Sequence, residues 1–338
     1  MSQNELYYST TPYHILCSFC LASKSSNNCH LLVVPAFSNS DIFIQELQKL
    51  DKSPFSDIYV MKKPNYSRES VNLIKTSKKI MKIRGLVRIL DPSQITVARD
   101  KDGLEQSVLY HASEDTICRY VEDGMAAYST KKYGAETLWK KYVRKVFVGY
   151  WWDPPKVLGT SKWIDSVALT FPKQARPELR DYPANTVPSS PLKEINKNWI
   201  RNYIAHFNIS PRRHSDLKNL VIIPHSNAAN REFKKHLKFE IKELKGKTAI
   251  KYHPREPTED FLKFQEMDDI IIFPPSIPAE LLYLYFNGLE TVIGTDSTAL
   301  LTAHWLDLDL DVWSLYDTIG GNDQGIRDTL DSLGTYIK

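Results

Sequence analysis

The sequence predicts an α/β protein of two Rossmann-like domains facing a cleft, each a parallel sheet flanked by helices. Three observations lead there. Strand-like and helix-like segments alternate along both halves of the chain, the order expected of parallel sheets. At 338 residues the chain exceeds what one ordinary core serves, so two domains are the default. Two strand patterns in the second half, KTAIKYHP and TVIGTD, stop on polar chemistry, as strands do at the sheet rim where open α/β folds hold phosphorylated ligands.

In order, ELYYST reads as a strand, PYHILCSFCLAS as a helix, CHLLVVPA as a strand and DIFIQELQKL as a helix. DIYVMKK then precedes a long basic helix, IKTSKKIMKIRGLVRIL, and SQITVARD, a helical LEQSVLYHAS and TICRYVED follow. A second basic helical pattern, LWKKYVRKVFVGYWW, ends in aromatics. From Trp151 to Pro191 the character changes, because seven prolines fall in that stretch; its end, DYPANTVPSSP, is the candidate linker. The predicted domains are therefore 1–185 and 192–338. In the second, EINKNWIRNYIAHF reads as a helix, NLVIIPHS, TAIKYHP, DDIIIFPP and TVIGTD as buried strands, and REFKKHLKFEIKEL, PAELLYLYF and STALLTAHWL as the helices between them. DLDLDVWSLY closes the series.

Composition is that of a soluble globular protein, 42% hydrophobic and 25% charged. No apolar run approaches the roughly 18 residues that span a bilayer, and the N-terminus lacks the basic start of a signal peptide. Four cysteines suit a reducing cytoplasm; Cys17 and Cys20 form a C-x-x-C on an apolar helix, where core packing outweighs redox or metal use. The net charge of +4 is clumped in the two basic helices. Such helices can lie on an anionic membrane face, or simply be solvated with their aromatics inward. Nucleic acid is not an expected partner, since no recognised module accompanies the charge.

Gly294-Thr295-Asp296-Ser297-Thr298 joins a strand to a helix. The unpaired N–H groups and dipole of a helix starting at Ser297 or Thr298 favour an anion, and Gly294 permits close approach. Plain N-capping explains the same residues. His253-Pro254 ends another strand, where the proline holds the imidazole at the sheet edge, able to donate a hydrogen bond or proton to a phosphate. Lys251 and Arg255 add positive charge beside it, and His225 and Ser226 end a further strand on the same rim. Glu280 opens a helix, either to hold ribose hydroxyls or to complement the dipole. Glu122-Asp123-Gly124 is both a turn signal and a candidate general base: adjacent acids differ in direction, so one can meet a substrate hydroxyl while the other takes backbone hydrogen bonds. Asp307, Asp309 and Asp311 alternate as metal ligands could, but metal sites usually gather ligands from several elements, and the structural explanation is favoured.

EDG, then HP, then a Ser/Thr pair opening a helix, in this order across two α/β halves, resembles the bacterial GT-B-type sialyltransferases, specifically the lipooligosaccharide sialyltransferase and capsular polysialyltransferase families. The likeness extends to YYSTTPYHIL and to IPAELLYLYF ahead of IGTDSTAL. It implies the GT-B glycosyltransferase architecture. It also implies Glu122 as general base with Asp123 as the second choice, His253 as phosphate contact and general acid, and Ser297 and Thr298 as phosphate ligands. Thr295, Gly294, Glu280, Pro254, His225 and Ser226 fall on the donor side, and Thr10, Thr11, His14 and Gly124 on the acceptor side. The implied reaction is an inverting transfer of sialic acid, or a related nonulosonic acid, from its CMP-activated form to a hydroxyl of a lipooligosaccharide or capsule glycan. No cofactor and no metal are expected. The enzyme would be cytoplasmic, its acceptor lipid-linked or capsular, with peripheral contact at the inner membrane face. A GT-B hexosyltransferase of lipooligosaccharide synthesis, a nucleotide or glycan binder without turnover, and a sugar-nucleotide epimerase of the same shape are the alternatives.

Overall fold

In a computed structural model of the chain, residues 2–62, 69–134, 138–209, 214–227, 229, 231–256, 260–267 and 269–338 are described. They form two compact units. The first comprises 1–36, 52–127 and 131–188; the second comprises 189–338 together with 37–51 and 128–130 from the first half of the chain.

The first unit is built on seven parallel strands, β1 (Asn4–Ser9), β2 (Asn28–Val33), β3 (Phe55–Val60), β4 (Gln94–Val97), β5 (Ile117–Val121), β6 (Ser166–Leu169) and β7 (Ala184–Thr186), in the order β3-β2-β1-β4-β5-β6-β7. Strand β1 is buried from Glu5 onward, as a strand covered on both faces must be, which is why its pattern is continuous rather than alternating. The helix Pro12–Ala22 follows it directly. Thr11 caps that helix by accepting the His14 backbone N–H at 3.3 Å, and Pro12 occupies a first-turn position where its missing N–H costs nothing. Cys17 and Cys20 lie buried in this helix, and Cys29 and Cys118 are buried elsewhere.

The second unit repeats the plan with β8 (Leu217–Ile222), β9 (Lys247–Lys251), β10 (Ile270–Phe273), β11 (Thr291–Gly294), β12 (Asp311–Ser314) and β13 (Tyr336–Ile337), again parallel, in the order β10-β9-β8-β11-β12-β13. Val221, Ile250 and Ile293 from neighbouring strands pack with Phe233, Leu237 and Ile241, which recur every fourth residue along the helix Arg231–Glu243. The helix Ser40–Gln48 belongs here too: the Phe43 ring meets Trp199 and Tyr203 edge-on, and Trp199 donates its indole N–H to the Glu46 carbonyl at 2.6 Å.

Both sheets reverse direction beside their first strand, so each has a topological switch point, at β1/β4 in the first and β8/β11 in the second. Open α/β sheets bind ligands at the carboxyl ends of the strands flanking such a point. The structure also places two stretches that the sequence singled out. Asp307, Asp309 and Asp311 do not share a strand: only Asp311 lies in β12, Asp307 adopts a left-handed conformation, and its carboxylate meets Lys193 at 3.3 Å. The proline-rich stretch contains β6, and its end, DYPANTVPSSP, contains β7.

Candidate functional site

In the first unit, the rim beside the switch point is assembled from the turns after β1, β4, β5 and β6. Gly124 sits at φ 59°, a left-handed conformation that sends the chain from the β5 turn into the short 3-10 segment Gly124–Ala127. This turn gives the two acids opposite surroundings. Glu122 is fully buried: it accepts the Tyr13 hydroxyl, the Thr170 backbone N–H at 2.7 Å and the Thr170 hydroxyl at 2.8 Å. Asp123 keeps about a quarter of its side chain in solvent. One of its oxygens takes a 2.7 Å hydrogen bond from Nε2 of the buried His14, whose Nδ1 lies 3.1 Å from the Thr10 hydroxyl. With its proton on Nε2, the His14 ring donates to the carboxylate and turns Nδ1 to the threonine hydroxyl. The Asp123 backbone N–H donates to the Tyr120 hydroxyl at 3.1 Å.

Arg99, in the turn after β4, brings Nε to 3.6 Å from the other Asp123 oxygen. Burial opposes its charge, but the carboxylates of Asp123, Glu105 and Asp102 hold it firmly cationic. Sequence reasoning missed Arg99 and Thr170, since no motif marks either. Of the acceptor-side residues, the structure brings Thr10, His14 and Asp123 together, while Thr11 serves the helix cap and Gly124 the turn.

In the second unit, His225 follows β8, His253 follows β9, and Thr295–Thr298 follow β11, so the three turns are neighbours along one rim. The two imidazoles face each other edge to face, centroids 5.6 Å apart. His253 Nδ1 accepts the Arg255 backbone N–H at 3.1 Å, which leaves Nε2 as the proton-bearing nitrogen. Desolvation, followed by the charges of Arg255, His225 and Lys251, lowers its pKa to about 4, so the ring is neutral at pH 7. Pro254 stands exposed beside it. His225 Nδ1 accepts the Asn227 N–H at 3.3 Å, and the Ser226 backbone N–H is taken by the Glu256 carboxylate at 2.8 Å.

Ser297 is the N-cap of the helix Thr298–Trp305, accepting the Ala299 N–H at 3.2 Å. Thr298 is the first helical residue. Thr295 is buried, its hydroxyl bonded to Asp296 at 3.0 Å and its carbonyl accepting the Ser314 hydroxyl. A side chain on Gly294 would meet Leu300 at 3.2 Å, so the glycine there lets the helix pack on the strand. Lys251 and Glu280 lie below the rim. Burial lowers the Lys251 pKa to about 8, with Glu280 opposing, and its ammonium donates to the Pro275 carbonyl at 3.0 Å. Burial likewise raises the Glu280 pKa. Lys251 and Glu280 are therefore both buried side chains that interact electrostatically.

Two parallel sheets of this order, each with polar rim chemistry at its switch point, form the GT-B architecture. Consistent with that architecture, the fold is similar to an α/β-galactoside α-2,3-sialyltransferase from Photobacterium phosphoreum (TM-score 0.59, 10% identity, 99% of this chain and 98% of that one). It is also similar to a 2,6-sialyltransferase from Photobacterium sp. JT-ISH-224, solved with CMP and lactose (0.55, 14%, 99% and 78%). A UDP-GlcNAc 2-epimerase from Methanocaldococcus jannaschii shares the architecture as well (0.57, 14%, 100% and 89%). A search of curated proteins gives no significant match. The family model for alpha-2,8-polysialyltransferase matches residues 5–314, and the chain belongs to that family. It is accordingly a glycosyltransferase of sialic acid.

Proposed function

We propose that the protein transfers sialic acid, or a related nonulosonic acid, from its CMP-activated form to a hydroxyl of a bacterial surface glycan of the capsule or lipooligosaccharide, with inversion and without a metal. The observation that carries the donor assignment is the second-unit rim, where the Nε2–H of a neutral His253, His225 and the Ser297-capped helix are neighbours. In this reading His253 donates to the phosphate as CMP departs, and the N–H groups around Ser297 and Thr298 take up the accumulating charge. These donors supply the electrostatic stabilisation that a divalent cation provides in other transferases.

On the first-unit rim, Asp123 is the base in this proposal. A base needs a free oxygen within reach of the hydroxyl it deprotonates, and Glu122 has no exposed surface and three donors already on it. Asp123 is reachable, and His14 fixes its orientation. Loss of the proton to Asp123 accompanies attack of the hydroxyl oxygen on the anomeric carbon, through an oxocarbenium-like state of the kind known from glycoside cleavage. Arg99 beside Asp123 suits an acidic acceptor, in keeping with the family's polysialyl description. We place the enzyme on the cytoplasmic side, with a lipid-linked or capsular acceptor and peripheral contact at the inner membrane face. No helix among the described residues is long and apolar enough to cross a membrane.

Thermal shift with CMP, UMP, UDP and GDP tests the donor assignment, because a ligand selective for the native state raises apparent stability according to its affinity. CMP is expected to give the largest shift, and CMP release from CMP-sialic acid to require an acceptor. A preference for uridine diphosphates would overturn the donor and favour the epimerase-like alternative, whose fold is shared. CMP binding with no release under any acceptor would leave a binder.

A further inference from the structure

We propose that the paired helices Glu69–Leu90 and Leu138–Val148 form the surface by which this protein docks on an anionic lipid bilayer. The inference deepens the peripheral membrane contact proposed above, but its evidence is independent of the transferase chemistry.

The two helices pack on one another within the first unit, where Ser77 donates its hydroxyl to the Phe147 carbonyl at 2.6 Å. Their inward sides are satisfied. Ile80, Ile83, Val87 and Leu90 are buried at helical spacing, and Ile80 joins Trp151 and Trp152 in a small core. The outward sides are the anomaly. Trp139, Tyr142 and Val146, spaced three and four apart along one face, are all exposed, Trp139 by 72%, and the Trp139 and Tyr142 rings stack on each other in solvent. Tyr150 is 78% exposed just beyond that helix, and Met81 and Ile89 are 65% and 83% exposed on its neighbour. Scattered exposed apolar residues are ordinary; a concentration of large ones on two adjacent helices marks an interaction surface.

The charge around them identifies the occupant. The segments 69–90 and 138–148 hold ten lysines and arginines, six and four respectively, against the single acid Glu69. Arg84, Arg88 and Met81 lie three, four and seven residues apart on one helix, so cations and apolar groups share a face, as Lys145 and Tyr142 do on the other. Tryptophan and tyrosine settle at the headgroup level, aliphatic side chains enter the acyl boundary, and lysine and arginine meet anionic headgroups. A soluble polyanion would account for the cations but gives Trp139, Val146, Met81 and Ile89 nothing apolar to enter. A second copy of this chain would bring two strongly basic faces together.

The test is sedimentation of the full chain with vesicles of phosphatidylcholine alone and with about 30% phosphatidylglycerol. Binding is expected only to the anionic vesicles, and should be lost in about 1 M salt, where the Debye length falls to about 3 Å. The surface variants Trp139→Ser/Tyr142→Ser and Lys82→Glu/Arg88→Glu should each weaken binding by about tenfold or more, while melting and CMP shift stay as in the wild type. Turnover on a water-soluble acceptor should also stay unchanged. Equal binding to neutral and anionic vesicles, or none, would overturn the proposal. So would loss of binding in the charge variant with none in the aromatic one, or a dimer that the aromatic variant dissociates. Because CMP binding is read separately, failure here would leave the donor assignment standing, and failure there would leave this surface standing.

Discussion

The two units carry the same strand order around their switch points and opposite chemistry on their rims. The first presents carboxylates with their orienting donors: Asp123 held by His14, Glu122 sunk beneath it, and Arg99 alongside. The second presents the neutral His253 imidazole, the His225 ring beside it and helix N–H groups. Topology decides where a ligand can bind, and the few side chains in each turn decide which charge it can carry. In the proposed reaction the proton acceptor falls on the first rim and the anion on the second. The contrast also separates the two neighbouring acids. Burial and three hydrogen bonds occupy Glu122, whereas Asp123 is partly exposed.

Several measurements can break or sharpen that contrast. On the second rim the largest effect belongs to His253→Asn. Removing a donor aimed at developing charge should lower turnover by roughly 10²–10³-fold, with a smaller loss of CMP affinity, as steady-state kinetics and titration would show. Turnover near wild type would remove the imidazole from the leaving-group role. Glu122→Gln should instead act on stability. A carboxamide nitrogen facing the donors of Tyr13 and Thr170 leaves buried groups mispaired, at a cost of about 1–3 kcal/mol by denaturant melting. Turnover per folded molecule should survive, contrary to what the family resemblance assigns to this residue. Ser297→Ala should cost about 1 kcal/mol by loss of the helix cap, with a weaker CMP shift. The smallest effect is a pH dependence. His253 titrates near 4 in the folded chain and near its ordinary value of 6.5 when unfolded. Between those values the unfolded state binds the extra proton, so stability falls as pH drops through that window. The melting temperature of wild type should therefore decline more between pH 7 and pH 5 than that of His253→Asn.

Much of the second rim was legible in the sequence because its chemistry lies next to each strand: His253 follows TAIKY directly, and Ser297 opens STALLTAHWL. The parallel sheets were legible for the same local reason, as apolar runs separated by amphipathic ones. The first rim was less so. His14 and Asp123 stand 109 residues apart and meet only because β1, β4 and β5 are neighbours in the sheet. Nothing local to Arg99 or Thr170 signals that fold-level encounter. Strand β6, only SVAL, is too short for a periodicity to show, and the placement of Ser40–Gln48 with the second unit depends on Phe43 finding Trp199, a contact no pattern encodes. The burial of Lys251 and Glu280 was hidden for a related reason: position along a strand or helix does not tell how deep a side chain lies.

The most direct test is acceptor-dependent CMP release by Asp123→Asn, measured beside CMP binding. The amide keeps the shape and loses the basicity, so release should fall by roughly 10²–10⁴-fold while the CMP-induced thermal shift is unchanged. Release at the wild-type rate, with CMP still bound, would contradict Asp123 as the group that takes the acceptor's proton.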